Sequence, residues 1–343
     1  MTFPSDYFKD TLTHILSMDS PTGYTHHVID RLATLVQALG YTPTKDSKGN
    51  LTVVVPGSTD KHIGVSAHVD TLGLMVRGIN GDGTLSFTKL GGPSLPTLDG
   101  EYCNIYTRDG MRYEGTILSN SPSVHVYADA NTRPRDESNM HIRLDEVVSN
   151  RADVNKLGIQ AGDIVAYDPK IVFTAQGFIK SRFLDDKLSV ALIITLLKDW
   201  VDTGTQPVHT VHFMFSTYEE VGHGLSHIPS HLSEVLALDM GCIGSDLTCT
   251  ERDVSICAKD SSGPYDYALT TKLINLAKAN KLDYAVDIYP MYGSDVSAAQ
   301  RGGNDIRGAL IGAGVAASHG MERSHMDGAQ NTYQLLYLYT TTA

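Results

Sequence analysis

The feature that most constrains this chain is an interruption. Helix–strand alternation runs from its start, stops near residue 73 and resumes after residue 174. Residues 5–17 carry Tyr7, Phe8, Leu12, Ile15 and Leu16 at helical spacing, and Ser20-Pro21-Thr22-Gly23 breaks that helix. Residues 25–39 read as a second helix closed by Gly40. Strands follow at 50–55 (NLTVVV) and 62–67 (HIGVSA). Between 73 and 174 the chain changes to short runs rich in Gly, Thr, Ser, Tyr and Val, such as EYCNIYTRDGMRYEGTIL. Such runs, divided by turn residues, predict an all-β unit. The alternation then returns. An amphipathic helix is expected over 186–201, capped by Asp185 or Asp186. Strands are expected at 209–216, 235–239 and 308–312, and helices at 265–280 and 327–341. This pattern belongs to the α/β class. The expectation is a three-layer α/β/α domain over 1–72 and 175–343, with a β-barrel-like domain inserted over 73–174.

Composition narrows the partners. Hydrophobic residues make up 41% of the 343 and charged residues 19%, so a large buried core is expected and disorder is not. The net charge of −12 argues against a nucleic-acid partner or an anionic membrane surface, either of which needs clustered Lys and Arg. None of the four cysteines lies in a Cys-x-x-Cys pair, so neither a zinc knuckle nor a thiol redox motif is expected. The first residues lack the basic and apolar regions of a leader. No apolar stretch approaches the ~20 residues of a membrane span. The expectation is a cytoplasmic protein.

The chemistry-bearing residues gather where apolar runs end. Ser66-Ala67-His68-Val69-Asp70 closes one strand. In open α/β sheets ligands collect at the carboxyl ends of strands, and a ligating His needs its second nitrogen oriented, a task within reach of Asp70. Taken alone, a strand-end His-x-Asp is more often structural. Leu184-Asp185-Asp186 precedes the long helix, where the acids are either a cap and first-turn charge or a carboxylate bridge between cations. Thr217-Tyr218-Glu219-Glu220-Val221-Gly222 is the sharpest signal. Two carboxylates at a buried strand end are costly unless paired, protonated or bound to metal. Metal-assisted hydrolysis uses one such acid as ligand and an unligated one as base. Leu238-Asp239 ends a further strand, and His319 and His325 compete for a place after the last one.

Taken together, these segments resemble the M42 family of metallo-aminopeptidases. Ala67-His68-Val69-Asp70, Leu184-Asp185-Asp186, Glu219-Glu220-Val221-Gly222 and Asp239 match its motifs, and Asp260-Ser261-Ser262-Gly263-Pro264 and Gly293-Ser294-Asp295 are similar to further segments. The resemblance implies a metallopeptidase domain holding two divalent ions, zinc or cobalt, with manganese as an alternative. His68 and Glu220 would bind separate ions joined by Asp185, with Asp239 and His319 completing the shells. Glu219 would be the general base and Asp70 would orient His68. Short peptides would be the substrates and a homo-oligomer, from dimer to dodecamer, the assembly. The chain departs from the family at Asp70-Thr71-Leu72, at His223-Gly224-Leu225-Ser226 and at His319-Gly320-Met321-Glu322-Arg323. Two other readings stand beside it: a metal-dependent deacylase or amidohydrolase of N-acylated amino acids or small peptides, and an inactive scaffold. No Gly-x-Ser-x-Gly elbow marks a serine hydrolase.

Overall fold

The computed structural model describes residues 2–342. The chain divides into two compact units: one runs up to Asp70 and from Lys170 onward, and the other is Thr71–Pro169. The first opens with helices α1 (Ser5–Leu16) and α2 (His26–Ala38) and strands β1 (Pro43–Lys45), β2 (Leu51–Val55) and β3 (Thr59–His68). The second holds β4 (Gly73–Ile79), β5 (Leu85–Leu90), β6 (Glu101–Tyr106), β7 (Arg112–Ser119), β8 (Met140–Leu144), α3 (Arg151–Lys156) and β9 (Ile164–Tyr167). Its strands close into a barrel in the order β4-β5-β8-β7-β6-β9. Leu74, Phe87, Ile105, Ile117, Ile142 and Val165 are wholly buried in this unit, the alternate inward positions of small-barrel strands.

The first unit resumes with β10 (Val172–Phe173), β11 (Phe178–Ser181), α4 (Leu184–Thr203), β12 (His209–Ser216), β13 (Glu234–Leu238) and β14 (Gly241–Cys242). It closes with β15 (Val254–Asp260), β16 (Gly263–Pro264), α5 (Tyr267–Ala279), β17 (Tyr284–Ile288), α6 (Asp295–Arg301), β18 (Arg307–Val315), β19 (Glu322–His325) and α7 (Met326–Thr341). Strands β12, β3, β13 and β18 lie side by side and parallel, with β2 and β15 antiparallel outside them. The centre of this sheet is covered on both faces. Trp200 of α4 packs edge-on against Phe213 of β12, whereas Val296 of α6 shares a core cluster with Met214, the next residue along. Successive strand residues point to opposite faces, so α4 and α6 form outer layers of an α/β/α sandwich. This is why β13 is apolar from Val235 onward and buried at every position.

Two details depart from the expectation. Residues Leu184–Leu197 of α4 are all buried, so the helix is enclosed rather than amphipathic. It lies between the sheet and α1 and α7, and its few polar groups are satisfied locally: Thr195 donates to the Ala191 carbonyl and Lys187 Nζ to the Met18 carbonyl. Nor does Asp185 or Asp186 sit at the helix cap. Phe183 occupies that position, both aspartates have non-helical dihedrals, and the peptide between them is cis. Their carboxylates are engaged elsewhere. Among the described residues, no helix is long and apolar enough to cross a membrane.

Candidate metal centre

The parallel strands carry their chemistry to one end of the sheet. His68 is the last residue of β3, and β12 ends at Ser216, beside it in register. Glu219–Val221 then forms a single 3-10 turn closed by Gly222 at φ +81°, a conformation that favours glycine. Asp239 directly follows β13 and donates its backbone N–H to the Ile311 carbonyl of β18. That close approach needs Gly312: a Cβ there would lie 1.7 Å from the Asp239 carbonyl oxygen. Asp185 enters from the start of α4, and His319 from the turn between β18 and β19.

Asp185 is the centre of this group. Its Oδ1 lies 3.0 Å from His68 Nε2, and its Oδ2 lies 3.5 Å from His319 Nε2 and accepts from Ser318 Oγ at 3.0 Å. His319 Nε2 is also 3.5 Å from Glu220 Oε2, and Glu219 Oε2 is 3.9 Å from His68 Nε2. The remaining nitrogen of His68, Nδ1, is 2.8 Å from the backbone carbonyl of Asp70. A carbonyl only accepts, so Nδ1 carries the proton and Nε2 faces Asp185. Ligand atoms of His68, Asp185 and Glu220 lie within 4.8 Å of one another, as do those of His68, Asp186 and Asp239. A cleft of about 470 Å³ opens onto Asp185, Glu219, Glu220, Asp239, Tyr292 and His319.

Asp70 acts differently from the expectation. Its carboxylate lies 3.6 Å from His68 Nδ1, and instead accepts from Thr22 Oγ1 and from the backbone N–H groups of Glu219 and Glu220 at 2.8, 3.1 and 3.2 Å. It orients His68 through its own carbonyl and suspends the glutamate turn through its side chain. His325, the competitor of His319, lies away from the group. It caps α7 by accepting from the Asp327 N–H, and its Nε2 donates to the Gln176 carbonyl.

Sequence reasoning left two acids without a site role. Asp186 accepts the His68 backbone N–H through Oδ2. Glu322 accepts the backbone N–H groups of Asp185 and His319, each at 3.2 Å. The signal for Glu322 was an acid three residues beyond His319, and for Asp186 an acid beside Asp185; neither reveals burial.

The electrostatics suit cations. Burial pushes Glu220 up to about 8 and Asp239 up to about 7, with the Asp185 charge adding to both. Burial also raises Asp186, Glu219 and Glu322 well above the usual carboxylate range. Burial works in the same direction on Asp185, but hydrogen bonds from His319 and His68 outweigh it and hold that carboxyl below its ordinary value. Burial lowers His68, yet the surrounding carboxylates, Asp185 first, leave it raised. Two buried oxygens, Glu220 Oε1 and Asp186 Oδ1, have no hydrogen-bond partner among the described residues. A buried carboxylate left without a compensating partner costs several kcal/mol. Divalent cations would relieve that cost, and the donor set of imidazole nitrogen and carboxylate oxygen is one that zinc, cobalt and manganese accept.

Residues 49–335 match the family described as M42 glutamyl aminopeptidase. The protein YhfE of Bacillus subtilis is 46% identical over 332 residues, 96% of each chain. The glutamyl aminopeptidase of Lactococcus lactis is 26% identical over 216 residues, 62% of this chain and 60% of that one. The Pyrococcus horikoshii TET1 peptidase, which can assemble into a tetrahedron or a large octahedral shell, superposes with a TM-score of 0.85 over 98% of this chain and 100% of that one. At 22% identity that likeness concerns the fold. Family match, fold and the cluster of acids and histidines agree: this chain belongs to the M42 glutamyl aminopeptidase family.

Proposed function

We propose that the chain is a metal-dependent aminopeptidase that removes N-terminal residues from short peptides, with His68, Asp185, Glu220, Asp239 and His319 holding two divalent ions and Glu219 as general base. One observation carries the reading: Asp185 presents one carboxylate oxygen to His68 and the other to His319, the disposition of a bridging carboxylate. Asp239 completes the side facing His68, and Glu220 the side facing His319. When bound, the ions, zinc or cobalt by this donor set or manganese as an alternative, polarise the scissile carbonyl and acidify a water. Glu219 takes the proton of the attacking water at its free carboxylate and returns it to the leaving amine. Burial, the first cause, raises its affinity for a proton above that of an ordinary carboxylate. Asp70 fixes the angle of Glu219 and Glu220, and Glu322 fixes Asp185 and His319.

The family and the Lactococcus relative's name support a free amine on the substrate in preference to an N-acyl group. A homo-oligomer, anywhere from dimer to dodecamer, is supported by the assembly of the Pyrococcus peptidase. The barrel unit is assigned to oligomerisation and substrate access. Four cysteines without a disulfide suit a reducing cytoplasm. The test is hydrolysis of matched peptides with free and acetylated N-termini, before and after chelation. Chelator-sensitive cleavage of the free peptide alone is expected. Cleavage of the acetylated peptide alone would transfer the site to the deacylase reading.

A further inference from the structure

Three histidines meet well away from the carboxylate cluster. His62 lies on β3 and His212 on β12. His231 lies in the connection that leads from the Glu219-Glu220 turn to β13. His62 and His68 are six positions apart on β3, which is roughly 20 Å at ~3.3 Å per residue. Register brings the first two together: His62 pairs with Thr210, and His212, two residues on, points to the same face.

The nitrogens of the three rings face one another. His62 Nδ1 lies 2.9 Å from His212 Nε2, which lies 3.3 Å from His231 Nε2. The rings are inclined at 49°, 59° and 82° and none is stacked. All three ligand nitrogens fall within 4.8 Å of one another. Tetrahedral zinc holds imidazole nitrogens at 2.0–2.1 Å, which places any two of them about 3.3 Å apart. The observed spacings are already near that edge length, whereas imidazoles without a shared ion or proton have no reason to turn their nitrogens inward. His212 is buried, His62 half-buried and His231 exposed, so an ion could enter from solvent and keep a water as fourth ligand. Burial pushes His212 down to about 4, with His231 and His62 adding to the effect, so its lone pair is available at neutral pH.

We propose that His62, His212 and His231 form a separate zinc site that staples the β12–β13 connection to the two strands it spans. The inference does not rest on the peptidase reading, because His62 and His212 lie six and four positions before the strand ends that carry the carboxylates, and His231 lies in a connection. The competing arrangement is a proton shared between His62, His212 and His231, and it binds no metal.

The test is zinc titration of the chelator-stripped full-length chain, as wild type and as His231→Ala and His62→Ala. Wild type should take up one more zinc per chain than either variant at micromolar free zinc, and both variants should retain wild-type peptide hydrolysis. Equal uptake by all three would overturn the proposal. Anomalous diffraction at the zinc edge from zinc-soaked wild-type crystals needs no variant. A peak between the three rings is expected, and its absence at saturating zinc would overturn the proposal as well.

Discussion

At the scale of single residues, the centre is held in place by carboxylates that spend their oxygens on backbone. Asp70 accepts from Glu219 and Glu220, Glu322 from Asp185 and His319, and Asp295 from Leu225 while also taking the Ser216 hydroxyl. Replacing Asp70 with Asn turns one acceptor into a donor that faces N–H or O–H groups. Asp70→Asn should therefore lower kcat or metal affinity by about 10–100-fold while the fold is kept, the usual penalty for disturbing groups behind a ligand; steady-state kinetics with a metal titration would measure it. Glu219→Gln should behave differently. It should lose a factor of about 10²–10⁴ in kcat, with bound metal and Tm unchanged, since the proposal makes Glu219 the base and not a ligand. Full activity in that variant would remove Glu219 from its role. The glutamate pair was legible because two acids at the end of an apolar strand demand an explanation. Asp186 and Glu322 were not, because nothing in their neighbours' identity shows that they are buried.

At the scale of elements, His319 and His325 divide their work by position. His325 caps α7, so His325→Ala should destabilise the fold by about 1 kcal/mol and leave metal content unchanged. His319→Ala should lower metal content, with little change in the stability of the metal-free chain; metal-free thermal melts beside metal analysis separate the two. The strand ends also give a pH signature. Glu220 and Asp239 are raised to about 8 and about 7, so the folded chain holds protons that the unfolded chain releases above its ordinary carboxylate range. Their contribution is fully present below that range and is lost as pH rises through the raised values. His68, also raised, acts in the same direction. Asp185, lowered, acts only below the ordinary carboxylate range, where its contribution is lost as pH falls. The metal-free chain should therefore melt at progressively lower temperature from pH 5 to pH 8.5, and metal should flatten the slope. A metal-free Tm that rises over this interval would contradict the account. The five strands read from the sequence, β2, β3, β12, β13 and β18, are neighbours in the sheet, where cover on both faces favours apolar runs; β15 and β17 were not read. The burial of α4 on all sides could not be read, because it depends on α1 and α7 closing over it.

At the scale of the whole molecule, the parallel order β12-β3-β13-β18 makes one site of residues more than 250 positions apart, from His68 to His319. Strand order is a property of long-range packing. The sequence showed that several apolar runs end in acids or histidines, and the family resemblance supplied their grouping. The change to short β runs after residue 72, and from it a barrel-like unit, was legible as turn chemistry; the order in which these strands close was not. Light scattering of the purified chain should report a homo-oligomer, and a monomer at all concentrations would remove the proposed role of the barrel. The central claim is that two ions, joined through Asp185 and served by Glu219, perform the hydrolysis. The most direct measurement is a metal titration of the chelator-stripped His231→Ala variant, followed by cleavage of a peptide with a free N-terminus. The account predicts no turnover without metal and a plateau at two equivalents per chain. Full turnover without metal, or a plateau at one equivalent, would contradict it.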